Sequence, residues 1–218
     1  MKFYSLSSLI AGLGCFFFAA VVLLKGRKNN QNRSFFIATI LTGIWTLFPF
    51  LTSLPERDDI ALFIARLLYL FASFVPTAWF YFMINVLGSS KREKIKLFTF
   101  YSISIIFAFL SSTRFLVKGV TRFAPYFCPQ AGPWYFLFII FFAGVFIYIL
   151  CTLFTALRNA RGYYRRQLIY VSWAYFIGAM SGVIHFIAAY TNKEPFSHDL
   201  LLIVYPFILA YAVVKHRL

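Results

Sequence analysis

Arg66 stands alone as a charge inside a long apolar run, and its type demands an explanation. A guanidinium in hydrocarbon costs about 2.5 kcal/mol or more unless it snorkels or finds a partner. Two roles are open. It could anchor an anionic ligand or join a packing ion pair, or its long stem could carry the charge to the headgroups. No acid lies deep in an apolar run, so a carboxylate partner has to come from flanking segments, such as Asp59, Glu194 or Asp199. Asp59 precedes Arg66 by two turns, roughly 10 Å along a helix.

His185 sits near the end of another apolar run. It could pair with polar groups near Arg66, touch a ligand or sense pH, or it could be a hydrogen-bonded structural histidine. Trp79 belongs to an abundant aromatic set, 22% of residues, which is either interfacial and lipid-facing packing or in part a stacked ligand pocket. Pro76 and Pro206 each interrupt an apolar run, which frees a backbone carbonyl and makes a kink, either a static one or a hinge. Gly178 and Gly182 form a small-xxx-small face that lets helices approach closely, within a bundle or between protomers.

Other chemistry is missing. No apolar run holds paired carboxylates, a His/Asp set or a Ser/His arrangement suited to hydrolysis. Neither a phosphate-cradling glycine loop nor a metal-ligating set occurs, so no catalytic residue, metal or cofactor is expected. The last run lacks a mid-span lysine for a retinal Schiff base, and no acid–base chain crosses the bilayer. The three cysteines share no short spacing: Cys15 and Cys151 fall in apolar runs, and Cys128 is expected in an exposed loop.

The elements that must position these residues follow from hydropathy. Of 218 residues, 61% are hydrophobic and 12% charged, and the mean hydropathy is +0.78. A soluble domain is about a quarter charged, and so much apolar surface needs lipid as solvent. The expected fold is an all-α integral membrane bundle, one domain over residues 1–218. Seven spans are expected at about 5–24, 34–54, 60–87, 97–112, 134–157, 168–190 and 200–214, with a long outer loop at 113–133. The first run is expected to stay as a helix rather than leave as a signal peptide, because its basic cluster lies on the far side.

Charge sorts the loops. Lys25, Arg27, Lys28, Arg33, Lys91, Arg92, Lys94, Lys96, Arg158, Arg161, Arg165, Arg166, Lys215 and Arg217 fall after alternate spans and meet one acid, Glu93. The opposite loops hold Lys2, Arg57, Arg114, Lys118, Arg122 and Lys193 with five acids. By the positive-inside rule the N-terminus is outside and the C-terminus cytoplasmic. Clustering of the +15 net charge between apolar runs argues for membrane anchorage and against nucleic acid. Tyr163-Tyr164-Arg165-Arg166 reads as an interface anchor that could touch anionic lipid.

The end of the chain, Pro206 through Tyr211 and Lys215 to Arg217 and Leu218, has a proline, a Tyr-Ala pair, two aliphatics and a basic exit. The third span runs from Ala65-Arg66 through Pro76-Thr77 to Phe82. Both stretches resemble the seven-transmembrane N-terminal sensor region of bacterial histidine kinases. That resemblance implies a sensor module in the bacterial cytoplasmic (inner) membrane, without kinase catalysis of its own. It would pass a stimulus to a cytoplasmic kinase or other effector domain in a two-component system. A kinase would continue past Leu218, so the expectation is a truncated sensor region or a stand-alone relative. A homodimer follows by the same analogy, and membrane lipids and an unknown small ligand are the other expected partners. Arg66, Trp79, His185, Arg114 and Lys118 are the candidate sensing residues. Pro76, Pro206, Gly178 and Gly182 are the candidate hinge and packing points, and Tyr211, Lys215, Arg217 and Leu218 the output. A small transporter or channel, or a structural subunit of a membrane complex, is the alternative.

Overall fold

The computed structural model describes residues 3–26, 29–123, 126–191 and 208. Helices α1 (Phe3–Lys25), α2 (Asn30–Thr46), α3 (Phe48–Leu51), α4 (Asp58–Ala72), α5 (Val75–Val86) and α6 (Lys94–Ser111) come first. Strands β1 (Val117–Phe123) and β2 (Tyr126–Ala131) follow, then helices α7 (Tyr135–Asn159) and α8 (Gly162–Thr191). Among the described residues, five helical stretches are long and apolar enough to cross a membrane: Ser5–Lys25, Asn30–Leu51, Asp58–Val86, Lys94–Ser111 and Tyr135–Asn159. The expected sixth span lies within α8. The seventh, at 200–214, falls outside the described residues apart from residue 208.

Two of the expected spans are broken helices, and proline explains both. Pro76 has no N–H to offer the carbonyl of Ala72, and α4 ends at Ala72. Pro76 then sits in the first turn of α5, where a missing N–H does no harm. Ser73 Oγ donates to the Tyr69 carbonyl at 2.8 Å and Ala78 N to the Phe74 carbonyl at 2.9 Å, so the chain stays nearly continuous through the break. Pro49 likewise sits in the first turn of α3, three residues beyond the end of α2 at Thr46.

The segment 113–133 is not an irregular loop, and the fold is not purely helical. β1 and β2 pair antiparallel from Val117↔Ala131 to Phe123↔Tyr126, with a register shift between Val117 and Gly119. Val117, Val120, Thr121, Phe123, Tyr126 and Phe127 are strand-forming types, and an isolated two-strand ribbon tolerates Pro129 because it has no second neighbour to feed. Gln130 Nε2 donates across the ribbon to Thr121 Oγ1 at 2.7 Å.

The core has two parts. One surrounds α5 and includes Phe35, Trp79, Phe80, Phe82, Ile149 and Tyr175. The other lies beneath the hairpin and includes Trp45, Phe48, Tyr69, Leu116, Tyr135 and Phe186. Phe63, Phe98 and Phe109 are 67%, 73% and 76% exposed, an apolar exterior suited to acyl chains rather than water. Several buried hydroxyls bond their own helix, as Thr42 does to the Ala38 carbonyl at 2.8 Å and Thr46 to the Thr42 carbonyl at 2.7 Å. Such internal satisfaction is what a solvent without hydrogen-bonding capacity requires.

Candidate functional site

Arg66 lies on α4 beneath the base of the hairpin. Its Nη2 donates to the Val117 carbonyl at 3.3 Å, and its buried Nε has no hydrogen-bond partner. Among the described residues no carboxylate pairs with it. Asp59, one of the expected partners, is held by Arg57 at 2.8 Å, and Glu194 and Asp199 lie outside the described residues. The guanidinium therefore has donors to spare at the seam between a helix and a strand.

That seam is firmly built. Gly132 N donates to the Leu116 carbonyl at 2.9 Å and Trp134 N to the Phe115 carbonyl at 3.0 Å, so the hairpin closes onto the start of α7. A side chain at Gly132 would run into the carbonyls of Phe115 and Arg114. Phe127 N donates to the Thr52 carbonyl at 3.3 Å, tying the second strand to α3. Below it the Tyr69 and Tyr135 hydroxyls bond each other at 2.7 Å, both fully buried. Cys128 is buried, not exposed as expected, because β2 packs over the helix ends; burial pushes its thiol up to about 12. Lys118 is exposed on the ribbon and Arg114 is exposed in the turn that leads into it.

Trp79 belongs to the other half of the core, away from Arg66. It donates from Nε1 to Thr42 Oγ1 at 3.0 Å and lies edge-on to Phe82. Pro76, Trp79 and Gly178 meet around a void of about 30 Å³, the size of one water. Gly182 packs on Trp45, whose ring would stand 2.9 Å from a Cβ placed there. Gly182 thus meets α2 through the Trp45 ring. His185 lies on α8, but its side chain is outside the described residues, as are Pro206, Tyr211, Lys215, Arg217 and Leu218.

The basic end holds a buried acid. Glu93, 3% exposed, accepts from Lys96 Nζ at 2.8 Å, Tyr148 Oη at 2.9 Å and Arg92 Nε at 3.2 Å. Lys96 above all, then Tyr148 and Arg92, hold its carboxyl below the usual carboxylate range although burial pushes the other way. Tyr148 is on α7, so this cluster fastens the start of α6 to α7.

Residues 7–218 match the family described as the N-terminal 7TM region of histidine kinase. The chain belongs to that family. No curated protein and no solved structure matches it. As an N-terminal 7TM region it is a multi-pass membrane helical bundle, and the match places no catalytic kinase domain within these residues. Two features of this histidine kinase 7TM region escaped sequence reasoning. The Tyr69–Tyr135 pair joins residues far apart in the chain, and nothing local announces it. Glu93 had a signal: it is the single acid amid basic residues, which invites the question of what it neutralises.

Proposed function

We propose that this 7TM region is the sensory module of a histidine kinase-type signalling protein in a bacterial cytoplasmic membrane. Seven spans carry the N-terminus outside and the C-terminus inside, with the hairpin on the outer face. A stimulus from outside or from the bilayer acts at the hairpin end, and the seventh span passes the change to a cytoplasmic kinase or other effector. The observation that supports this reading best is Arg66, half-satisfied beneath a ribbon in a chain that belongs to this family. A guanidinium with a buried, unpaired Nε is a ready contact for an anionic or carbonyl-bearing ligand, and its neighbour Val117 starts the strand that a ligand would move.

In this proposal Arg114 and Lys118 attract ligand at the surface, and Trp79 and His185 respond in the interior. Pro76, Pro206, Gly178 and Gly182 permit helices to shift, and Tyr211, Lys215, Arg217 and Leu218 form the exit to the effector. The void among Pro76, Trp79 and Gly178 gives the break between α4 and α5 room to repack. A homodimer is the working assembly, by analogy with histidine kinases. Thr42–Trp79, Thr77–Ser104 and Tyr69–Tyr135 are closed side-chain pairs between described helices, a packing arrangement rather than steps of a polar path.

The test joins the chain to a histidine-kinase catalytic region and measures autophosphorylation in membrane vesicles. Arg66→Ala is expected to insert normally and to change the autophosphorylation level. An unchanged level in a normally inserted variant removes Arg66 from the sensing site. Reporter fusions at the hairpin and after Gly88 test orientation separately, and are expected to report opposite sides.

A further inference from the structure

A cleft of about 750 Å³ opens at the basic end, between the α5–α6 turn and the α7–α8 turn. The sensing proposal makes no use of it. Its geometry begins with Gly88, whose φ of +64° suits glycine. Gly88 N bonds the Asn85 carbonyl at 3.3 Å and Ser89 N the Ile84 carbonyl at 2.9 Å, the paired bonds that close a helix in a left-handed cap. This cap ends α5 abruptly and sets Ser89 and Arg92 along one wall. Arg161 and Tyr164, at the junction of α7 and α8, line the cleft as well.

The donors here are unspent. Arg92, with a side chain 77% exposed, uses only Nε, toward Glu93, and neither Nη has a partner among the described residues. Arg161 is exposed and makes no ion pair among the described residues. Ser89 Oγ is buried without a partner. Among the described residues no carboxylate lines the cleft, and the nearby acid Glu93 is already answered by Lys96, Tyr148 and Arg92. Lys91 adds a further cation in an adjoining cleft that shares Gly88, Ser89 and Arg92. Two arginines lining one space, with a desolvated serine hydroxyl just behind its wall and no competing acid among the described residues, match a phosphate.

We propose that this cleft binds a phosphate group. The lining favours an anionic phospholipid as its source. Cys151 and Thr155 line the cleft and are exposed on α7, so the cleft opens sideways where an acyl chain would lie, beside Leu87 and Ala156. An anionic headgroup would then bridge the turns at the inner ends of four helices. This inference does not depend on the sensing role, and its test reads lipid retention rather than signalling.

The full chain, purified in detergent, is mixed with phosphatidylglycerol or phosphatidylcholine, and retained lipid is counted by native mass spectrometry. Retention should favour phosphatidylglycerol. Arg161→Gln, which breaks no hydrogen bond or ion pair among the described residues, and Arg92→Gln should each weaken it about tenfold, the effect of losing one hydrogen bond to a charged group. Arg122→Gln, at the hairpin end, changes net charge equally and should leave retention unaltered. A parallel arm with inorganic phosphate identifies the source. Displacement of phosphatidylglycerol only by anionic lipid supports the lipid, and displacement by millimolar phosphate supports a soluble phosphate compound at the same donors. Equal retention of both lipids with no phosphate binding, or equal losses in all three variants, overturns the proposal.

Discussion

Replacing Glu93 should loosen the joint between α6 and α7. The carboxylate is 3% exposed and takes three hydrogen bonds. The side chains of Arg92 and Lys96 are 77% and 49% exposed, so water and salt screen both ion pairs and most of their attraction is already discounted. The shielded contribution is the Tyr148 hydroxyl, and a hydrogen bond to a charged acceptor is worth about 1.5 kcal/mol. Adding the volume lost in a packed site, Glu93→Ala should cost about 2 kcal/mol. Glu93→Gln keeps one oxygen acceptor and should cost about half of that. Thermal unfolding in detergent micelles, followed by labelling of thiols that become reactive, would read the difference. The pH dependence has a definite sign. A carboxyl lowered in the folded state contributes fully above its unfolded value of about 4.3, and the contribution drains as pH falls through the lower folded value. The gap between wild type and Glu93→Gln should therefore be constant above about pH 5 and close only in more acid solution. A Glu93→Ala protein as stable as wild type at neutral pH would refute the reasoning, and so would a gap that widens with acid.

Other outcomes follow from the same packing. Tyr69→Phe and Tyr135→Phe should each destabilise by about 1–3 kcal/mol by stranding the opposite buried hydroxyl, whereas the double variant should recover much of the loss in a double-mutant cycle. Gly132→Ala should destabilise by about 1–3 kcal/mol, because its Cβ meets backbone carbonyls rather than a yielding side chain; limited proteolysis within the hairpin would report the loosening. Cys151 should react with maleimide in the folded protein, while Cys15 and Cys128 react only after denaturation, as peptide mapping after labelling would establish.

Hydropathy made most of the helices legible, because every stretch that must satisfy its backbone in lipid is long and apolar. Five expected spans coincide with five apolar helical stretches to within a few residues, and the expected sixth lies inside α8. The hairpin was not legible. Its strands hold Lys118, Arg122 and Pro129 among Val117, Val120 and Phe127, so neither strict alternation nor an unbroken apolar run marks them. The burial of Cys128 was hidden for the same reason, since it depends on the ribbon folding back over the helix ends. Pro76 was legible as an interruption, and the structure adds where the interruption falls, at Ala72, four residues earlier. Arg66 could be singled out from its setting alone. Its acceptor, Val117, could not, because the contact spans 51 residues of sequence and needs the hairpin to exist.

Whether Arg66 could drive a switch is a matter of magnitude. A ligand shifts an equilibrium between two packings only by the difference in its affinity for them. Leaving one buried donor unsatisfied costs about 1–3 kcal/mol, so a ligand that satisfied Arg66 Nε in one packing alone would shift the populations by about fivefold to 150-fold. Moving a population from 1:99 to 99:1 takes about 5.5 kcal/mol. Arg66 by itself therefore supplies at most about half of a complete switch. The rest has to come from elements that move with it, and the structure offers two: the ribbon fastened through Val117, and α4, whose hydrogen-bond ladder toward α5 Pro76 interrupts. A sensor working through Arg66 must then be graded in the Arg66 variant rather than silent, with residual response carried by the hairpin.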